Sequence, residues 1–559
     1  MITDEKVIKL TRNEGLKTGS TTLSGHLHQS LNDAATDHFS EDDYEFLKFH
    51  GVYQQDDREK RKTGKHYIMM VRTRFPGGVL TGKQYLACDD LSTRYGNDTM
   101  RITTRQDFQF HGILKSNLRQ AIKSLNEALM TTIAACGDVA RNVMAPPTPS
   151  TSPLVDEVLA QAANLSTLLA PTTRAYHSIW LDGQELDLKE AASFVDPLYG
   201  RSYLPRKFKT AFAFPPLNDI DIFANDLGFV VIEEQGRLLG YNLLAGGGLG
   251  MSHSNAQTFP RLADVIGFFT PEHLELVAKT VLAVHRDFGD RTNRKHARLK
   301  YVIAERGVDW FRGEVEQRLG FKLQPAKPFQ FTRQGDLLGW HQQHNGKLFL
   351  GLFIENGRVI DRQGYQLKTA LRQVFEKFQP DARLTAAQNI LLVNIDPANR
   401  ADIDAMLAGH GISTSNPYSA TRKASMACPA LPTCGLALAE SERYLPDLLT
   451  QLETVLAALR LQDEEIVVRM TGCPNGCSRP YLAEVAFVGK APNKYQIYLG
   501  GNEGSTRLNR LYKDSVKSDD LLKELGSLLQ RFVVERQPGE RFGDFCARVV
   551  WTEAEAAIA

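Results

Sequence analysis

Two pairs of similar segments recur in the same order along this chain of 559 residues, and this repeat restricts its possible folds more than any other feature. In the first pair, Arg101-Ile-Thr-Thr-Arg-Gln-Asp-Phe resembles Arg383-Leu-Thr-Ala-Ala-Gln-Asn-Ile. In the second pair, covering 227–247 and 484–501, an apolar strand pattern precedes a segment that begins with Tyr and ends in Gly-Gly. The copies are much further apart than solenoid repeats. The repeat therefore predicts two related halves about a pseudo-twofold axis, an arrangement that suits a cofactor bound between them.

Strand and helix patterns alternate through most of the chain, which predicts an α+β (mixed α/β) fold. Residues 67–75 have the pattern of a strand, and 114–129 have apolar residues at helical spacing. Residues 1–66 are polar and show no long period, so we interpret them as an extension that wraps or docks. The Pro-, Ser- and Thr-rich run at 145–153 follows the first compact segment and is typical of a linker or an excursion of the chain.

The composition argues against several classes of protein. A net charge of +1 gives no global field that would attract nucleic acid or an anionic membrane. No apolar run approaches the ~18 residues of a membrane helix, and the first residues lack the apolar core of a secretory signal. We therefore expect a cytoplasmic protein whose partners include neither nucleic acid nor a membrane.

Four of the seven cysteines form two tight pairs, Cys428-x5-Cys434 and Cys473-x3-Cys477. In a reducing compartment, such pairs indicate metal or redox chemistry rather than disulfides. Four soft thiolates suit either an iron–sulfur cluster or tetrahedral zinc. One pair is wider than a usual zinc knuckle, and both contain proline and small residues that let the backbone fold around a bulky cluster, so an iron–sulfur cluster is favoured. The isolated cysteines are interpreted as buried apolar residues: Cys88, Cys136 and Cys546.

Alternate residues between positions 101 and 111 are all polar. In a single strand they would share one face, and their Arg, Thr, Gln and His side chains donate hydrogen bonds in fixed directions, which suits a bound polycarboxylate. A solvent-facing side of an amphipathic strand is the alternative, and the spacing does not decide between the two. The residues concerned are Arg101, Thr103, Arg105, Asp107, Gln109 and His111.

Short basic segments pose the same question. Lys207 and Lys209 are two residues apart, so an extended backbone points both ammonium groups the same way, where they repel unless an anion lies between them. Arg72 and Arg74 precede Phe-Pro-Gly-Gly with the same spacing, and Arg141 stands just before the proline-rich run. Each segment alone is also typical of a solvated edge.

Thr471-Gly-Cys-Pro-Asn-Gly-Cys477, placed after a C-x5-C pair, resembles the signature of the sirohaem-dependent sulfite and nitrite reductases. The similarity runs over nearly the whole chain, and the N-terminal part is most similar to haemoprotein subunits of bacterial NADPH-dependent enzymes. The resemblance implies three domains about a pseudo-twofold axis, in agreement with the repeat. It implies the following division: an extension at 1–66 that docks a partner, two halves of a ferredoxin-like domain at 67–140 and 341–415, a sirohaem- and substrate-binding domain at 141–340, and an iron–sulfur and sirohaem domain at 416–559.

The resemblance also implies roles for individual residues. The four paired cysteines would bind a 4Fe–4S cluster, and the sulfur of Cys477 would also bridge to the sirohaem iron. Four bases would converge where the substrate anion binds: Arg72, Arg141, Lys207 and Lys209. Further residues would surround the macrocycle and its carboxylates: Arg101, Thr103, Arg105, Gln109, His111, Asn142, Arg298 and Asn475.

The implied activity is the six-electron reduction of sulfite to sulfide in assimilatory sulfur metabolism. No side chain stores electrons, so the cofactors must do the redox work, while clustered cations bind the anion and lower one another's pKa, which suits Lys207 and Lys209 as proton donors. The sequence shows no flavin or nicotinamide fingerprint, so we expect electrons from a diflavin NADPH-dependent reductase subunit, with ferredoxin as the alternative donor. The alternative functions are a sirohaem nitrite reductase and a non-catalytic iron–sulfur or zinc interaction module.

Overall fold

The computed structural model describes residues 9–20, 22–149, 152–172, 179–181, 184–186 and 194–553. The helices are α1 (Arg12–Gly19), α2 (Leu27–Asn32), α3 (Glu41–Leu47), α4 (Gly82–Arg94), α5 (Lys115–Glu127), α6 (Leu154–Leu168), α7 (Leu274–Phe288), α8 (Leu299–Arg306), α9 (Val308–Leu319), α10 (Leu367–Phe378), α11 (Arg400–Gly409), α12 (Ala420–Ala424), α13 (Leu445–Ala458), α14 (Leu521–Glu535) and α15 (Phe542–Phe545). None of the described helices is long and apolar enough to cross a membrane.

The strands are β1 (Val52–Asp56), β2 (Tyr67–Arg72), β3 (Val79–Leu80), β4 (Met100–Ile102), β5 (Phe108–Ile113), β6 (Ala140–Met144), β7 (Ile179–Leu181), β8 (Gln184–Leu186), β9 (Phe208–Ala213), β10 (Leu227–Glu234), β11 (Arg237–Ala245), β12 (Asp264–Phe269), β13 (Gly339–Gln342), β14 (Leu348–Leu352), β15 (Arg358–Val359), β16 (Asp361–Arg362), β17 (Tyr365–Gln366), β18 (Asp381–Leu384), β19 (Ile390–Ile395), β20 (Met426–Ala427), β21 (Val468–Thr471), β22 (Val485–Ala491), β23 (Lys494–Leu499) and β24 (Arg510–Lys517). Within the described residues they form four five-stranded sheets and two hairpins.

The first two sheets confirm the predicted repeat. Sheet A has the strand order β1-β2-β5-β4-β15, and sheet B has the matching order β13-β14-β19-β18-β3. Their last strands are exchanged, because β15 of the second half pairs with β4 and β3 of the first half pairs with β18. Each half of the chain therefore completes the sheet of the other half.

The exchanged strands follow matching tight turns. Gly78 and Gly357 have positive φ angles of 74° and 72°, a region that glycine adopts without a steric penalty. A Cβ at Gly78 would collide with the carbonyl oxygen of Leu384, and a Cβ at Gly357 would collide with that of Ile102. The turns before the two exchanged strands thus have the same steric requirement, a residue without a Cβ atom.

Sheets C and D form a second matching pair. Sheet C has the order β6-β9-β10-β11-β12, and sheet D the order β20-β21-β22-β23-β24. In both sheets the first three strands are parallel and the next two pairings are antiparallel. The second pair of repeated segments forms β10–β11 in one sheet and β22–β23 in the other, so the similarity in sequence corresponds to the same place in the fold.

The described part of the N-terminal extension packs on the body of the protein. Leu23, Leu27 and Phe46 are buried in the largest hydrophobic core. The buried ammonium of Lys17 donates a hydrogen bond to the Leu204 carbonyl oxygen at 2.6 Å. Partner docking by this extension stays a prediction.

The proline-rich run is not the linker that its composition predicts, because residues 145–149 are buried. Gln106 binds the backbone of Ala145 twice: its amide nitrogen donates to the carbonyl at 2.9 Å, and its amide oxygen accepts from the N–H at 3.1 Å. Arg383 donates to the Pro147 carbonyl at 3.2 Å. Proline suits this path because it adds no N–H group that would need a partner.

Candidate functional site

Two of the four paired cysteines follow the carboxyl ends of adjacent parallel strands of sheet D, so they lie at the same edge of that sheet. Cys428 follows β20 and Cys473 lies just beyond β21, and these two strands pair in parallel. Cys428 and Cys473 are buried, Cys434 is half-buried and Cys477 is exposed, and all four are free thiols. Cys477 is therefore the most exposed of the four cysteines.

The surroundings of these cysteines fit a metal cluster. The backbone N–H of Gly472 donates to the Cys428 sulfur at 3.3 Å, and the Asn475 amide donates to the Cys473 sulfur at 3.5 Å. Burial, together with the neighbouring Cys428 and Cys477, raises the pKa of the Cys434 thiol to about 12. Four converging thiols in such a place become thiolates only beside strong positive charge, which iron supplies, and N–H donors to sulfur are a usual feature around such clusters.

Glu442 connects the cysteine loops to both halves of the molecule. Its backbone N–H donates to the Cys428 carbonyl at 3.0 Å. Its carboxylate accepts from Arg101 Nε at 3.1 Å and from Arg358 Nε at 2.7 Å. Arg358 Nη1 also lies 3.4 Å from His111 Nδ1. Sequence reasoning missed Glu442 and Arg358, because neither belongs to a motif.

The polar face between positions 101 and 111 is built differently from the prediction of a single strand. β4 and β5 form an antiparallel pair in which Arg101 lies opposite Gln109, and residues 103–107 form the turn between them. The hydroxyl of Thr103 holds this turn by accepting from the backbone N–H of Arg105 at 3.1 Å and of Asp107 at 3.3 Å. A residue with positive φ, Gln106 at 59°, allows the reversal. Cross-strand pairing, rather than alternation along one strand, brings Arg101 and Gln109 to one face.

Asn142 and Arg298 are buried around sheet C, and Arg105 is half-buried there. Arg105 donates to the Thr210 carbonyl at 3.2 Å, and the Asn142 amide donates to the Arg105 carbonyl at 3.0 Å. Arg298 Nη2 donates to Asp226 Oδ2 at 2.7 Å. Three buried polar atoms here have no hydrogen-bond partner: Arg105 Nε, Asn142 Oδ1 and Thr210 Oγ1. Such orphaned atoms fit a bound group with polar substituents.

Two of the predicted bases, Arg72 and Arg141, converge on one carbonyl group. Arg72 Nη1 lies 3.4 Å from the Ala135 carbonyl oxygen, and Arg141 Nη1 lies 3.1 Å from the same atom. Arg72 also donates to the Cys136 sulfur at 3.2 Å, and its Nε lies 3.1 Å from the amide oxygen of Gln109. The buried Cys136 thus lies beside a predicted substrate base, a position that its isolation in the sequence does not reveal.

Arg74 points elsewhere, despite the matching spacing. It is buried against the end of α6, where its Nε donates to the Ser166 hydroxyl at 3.1 Å. Spacing by two does not place Arg72 and Arg74 together, because the chain leaves β2 after Arg72.

Lys207 and Lys209 lie at the start of β9, and neither ammonium group has a hydrogen bond or ion pair with the described residues. Burial lowers the pKa of Lys207 to about 7, and the positive charges of Arg298 and Arg141 contribute to the shift. Burial and the charges of Arg105 and Lys207 likewise lower the pKa of Lys209. The two lysines therefore share one region with the predicted arginines, and like charges held together without partners are suited to binding an anion.

Two family domains match parts of this chain, and one of them matches twice, once in each half of the repeat. The nitrite/sulfite reductase ferredoxin-like half domain matches residues 59–128 and again 341–410. The nitrite and sulphite reductase 4Fe-4S domain matches residues 160–323, which contain none of the seven cysteines. That range holds most of sheet C, and sheet D has the same strand order. The two sheets thus share one architecture, and the four paired cysteines lie in the part of the chain that contains sheet D.

Full-length relatives were also found. The sulfite reductase (NADPH) hemoprotein beta-component of Myxococcus xanthus is 50% identical over 545 residues, which are 96% of each chain. The protein of the same name from Shouchella clausii is 47% identical and covers 97% of this chain and 96% of its own. The solved structure of the NirA protein of Mycobacterium tuberculosis superposes with a TM-score of 0.79 at 25% identity, covering 97% of this chain and 96% of that chain.

Proposed function

The chain belongs to the nitrite and sulfite reductase family, and from this premise we propose that it is the haemoprotein component of an assimilatory, NADPH-dependent sulfite reductase. Its reaction is the six-electron reduction of sulfite to sulfide. One observation carries the proposal: two lysines without partners, Lys207 and Lys209, share a region with the arginines that meet at the Ala135 carbonyl. Such a region binds a small oxyanion by charge-assisted hydrogen bonds.

The cofactors are a sirohaem and a 4Fe–4S cluster, and the residues present fit both. Cys428, Cys434, Cys473 and Cys477 would hold the cluster. We assign the link to the sirohaem to Cys477, because its charge acts on the pKa of both Arg72 and Lys207, two of the proposed substrate bases. Together the two groups supply the storage and delivery of electrons that side chains lack.

The other residues proposed around the macrocycle fall into two groups. Some already hold other side chains or the backbone in place: Arg101, Thr103, His111, Arg298 and Asn475. Others combine such a contact with the substrate bases or with an orphaned polar atom: Arg105, Gln109 and Asn142. We assign a direct contact with a carboxylate of the macrocycle to Arg105, because Arg105 Nε is a buried donor without a partner. The partnerless Asn142 Oδ1 can only accept, so Asn142 would take a hydrogen bond from a donor on the bound group or from water.

The four bases would bind the substrate and supply protons. Arg72 and Arg141 are anchored by carbonyl groups, so they can orient the substrate oxygens without moving. Lys207, with a pKa lowered to about 7, can release a proton to a substrate oxygen near neutral pH, as S–O cleavage to water requires. We assign anion orientation to the arginines and proton donation to the lysines.

We propose that a diflavin reductase subunit supplies the electrons, because the names of the relatives specify NADPH and the sequence contains no nicotinamide fingerprint. Part of the extension at 1–66 would contribute to docking that subunit, and the enzyme would work in the cytoplasm. Ferredoxin is the alternative donor.

The test measures turnover of the purified holoprotein with a chemically reduced viologen dye, offered sulfite and nitrite separately. We expect sulfide to form with six electrons consumed per sulfite, and we expect kcat/KM for sulfite to exceed that for nitrite. Reduction of nitrite with no formation of sulfide would support the nitrite reductase instead. A protein with both cofactors that reduces neither anion would contradict the proposal.

A further inference from the structure

A cavity of about 680 Å³ lies beside sheet D, at the twofold counterpart of the region of the four bases. The correspondence is fixed by the central parallel strand of each sheet, β9 in sheet C and β21 in sheet D. The backbone N–H of Lys209 donates to Asp226 at 2.9 Å, and the backbone N–H of Val467 donates to Glu484 at 2.9 Å. Both acids immediately precede the next strand of their sheet, so Val467 occupies the place of Lys209.

The same correspondence places Glu465 where Lys207 stands, since each lies two residues earlier. Glu465 and Val467 both line the cavity. The counterpart thus has a carboxylate and an apolar side chain where the region of the four bases has two ammonium groups. A region with this change of charge no longer favours an oxyanion.

Four arginines line the cavity, and three of them pair with carboxylates. Asp221 accepts from Arg469 at 2.8 Å and also pairs with Arg479, so these two arginines share one carboxylate. Arg541 pairs with Glu484 at 3.0 Å. The positive charge that remains is opposed by the other acidic residues of the lining: Asp219, Asp336, Glu465 and Glu503.

Two further lining residues have carboxylate oxygens without partners. Asp219 is only 4% exposed, and neither of its carboxylate oxygens has a hydrogen bond from another described residue. Asp336 Oδ2 accepts from Asn389 Nδ2 at 2.8 Å and from the Thr385 hydroxyl, whereas its Oδ1 is buried without a partner. Burial, followed by the charge of Asp336, raises the pKa of Asp219 well above its usual range. Three orphaned carboxylate oxygens in a cavity with room for water require a proton or a cation.

We propose that Asp219 and Asp336 bind one hydrated divalent cation of the Mg²⁺ type in this cavity. Mg²⁺ commonly takes one or two carboxylates and keeps several water molecules. No third Asp, Glu, His or Cys of the described residues joins Asp219 and Asp336 in a group that could hold a metal ion, so water would complete the coordination. The remaining lining cations do not block such a site, because Arg333 is exposed and Lys423 is half-buried. The ion would join the segments around 219 and 336, which both line the cavity.

The test is equilibrium dialysis of the holoprotein against Mg²⁺ after treatment with a chelator, with the bound metal measured by elemental analysis. We expect about one Mg²⁺ per chain for the wild type. The affinity should fall at least tenfold in Asp219→Asn, which keeps the size of the side chain but removes its charge. Asp514→Asn is the control, because Asp514 is an exposed carboxylate that binds Lys490 on the surface. This control should bind Mg²⁺ as the wild type does.

A second measurement keeps the proposal testable if Asp219→Asn folds poorly. The thermal midpoint of the wild type should rise with the concentration of Mg²⁺, as expected for a ligand that binds only the folded state, and Asp336→Asn should lose that rise. No Mg²⁺ bound to the wild type, or equal binding in Asp219→Asn, would overturn the proposal. The carboxyl pair would then hold a proton. Neither result bears on sulfite turnover.

Discussion

The region of the four bases beside sheet C and the cavity beside sheet D occupy equivalent places in the two halves, yet they carry opposite chemistry. The first contains Lys207 and Lys209 without partners, and the second contains Glu465 and Val467 at the corresponding positions. The strand order, the exchange of edge strands and the glycine turns are shared. The fold therefore does not determine which half reduces an anion, and a few charged side chains do.

The cysteines show the same division. The four paired cysteines lie only in the copy that contains sheet D, in loops that follow adjacent parallel strands, whereas the corresponding edge of sheet C has none. The base region of one copy and the cysteine loops of the other thus meet near Cys477, whose charge affects the pKa of Lys207. The proposed sulfite site is therefore assembled from both copies. The cavity beside sheet D, for which we propose Mg²⁺, is built from residues of different charge.

The largest effect on cofactor content and turnover should come from replacing one of the four paired cysteines. Cys473→Ser should lose the 4Fe–4S cluster, and with it the sirohaem and all sulfite turnover, because serine cannot replace a thiolate ligand in a buried site. Iron and acid-labile sulfide analysis measures this loss. Cys546→Ser is the control: Cys546 is buried away from the pairs, so full iron content should remain, and iron loss equal to that of Cys473→Ser would contradict the assignment.

Turnover should depend on Lys207 and not on its counterpart. Lys207→Met should keep both cofactors and lower kcat for sulfite by roughly 10²–10³, the usual cost of removing one group that stabilises developing charge. Glu465→Gln changes the equivalent position in the other half, and kcat should stay within about twofold of the wild type. Unchanged turnover in Lys207→Met would remove this lysine from the mechanism.

Stability should depend on Glu442, which joins the two halves. Burial alone would raise its pKa, but Arg358 and Arg101 hold it at about 2. Since this is below the unfolded value of about 4.3, the contribution is complete above pH ~4.3 and is lost as the pH falls towards 2. Glu442→Gln should lower the free energy of unfolding at pH 7 by about 3 kcal/mol, the cost of breaking a buried ion pair.

Denaturant titration at several pH values checks this expectation. The difference between wild type and Glu442→Gln should shrink between about pH 4.3 and pH 2. A difference that is independent of pH would mean that the network acts through packing and not through charge.

The smallest effects on the free energy of unfolding should come from substitutions of the glycines in the two turns before the exchanged strands. The two effects should be equal. Gly78→Ala and Gly357→Ala both force a Cβ against a carbonyl oxygen at positive φ, so each should cost roughly 1–3 kcal/mol of unfolding free energy. Gly364→Ala has a φ of 72° but open space around it, so it should cost less, about 1 kcal/mol. Unequal losses at Gly78 and Gly357 would show that the two exchanges are not energetically equivalent.

Ordered segments of the sequence predicted the repeat and the α+β class, and the cysteine spacing favoured an iron–sulfur cluster, whereas the sirohaem was implied only by the resemblance to a family. The sequence predicted one polar strand at 101–111 where the structure has two strands and a turn, since period-two patterning continues across a tight hairpin. It also took the run at 145–153 for a linker, because composition does not show that Gln106 binds the Ala145 backbone. Glu442 and Cys136 were missed for a related reason: their partners are distant in sequence and follow no spacing rule.

The most direct test of the central claim is an absorption spectrum of the purified protein, oxidised and then reduced, with sulfite titrated in and the macrocycle and iron quantified per chain. The account predicts one sirohaem per chain, bands that shift on addition of sulfite, and loss of that shift when Lys207 and Lys209 are replaced together. Two macrocycles per chain would show that both halves bind the cofactor, and a folded protein with a full cluster and no macrocycle would contradict the enzyme assignment.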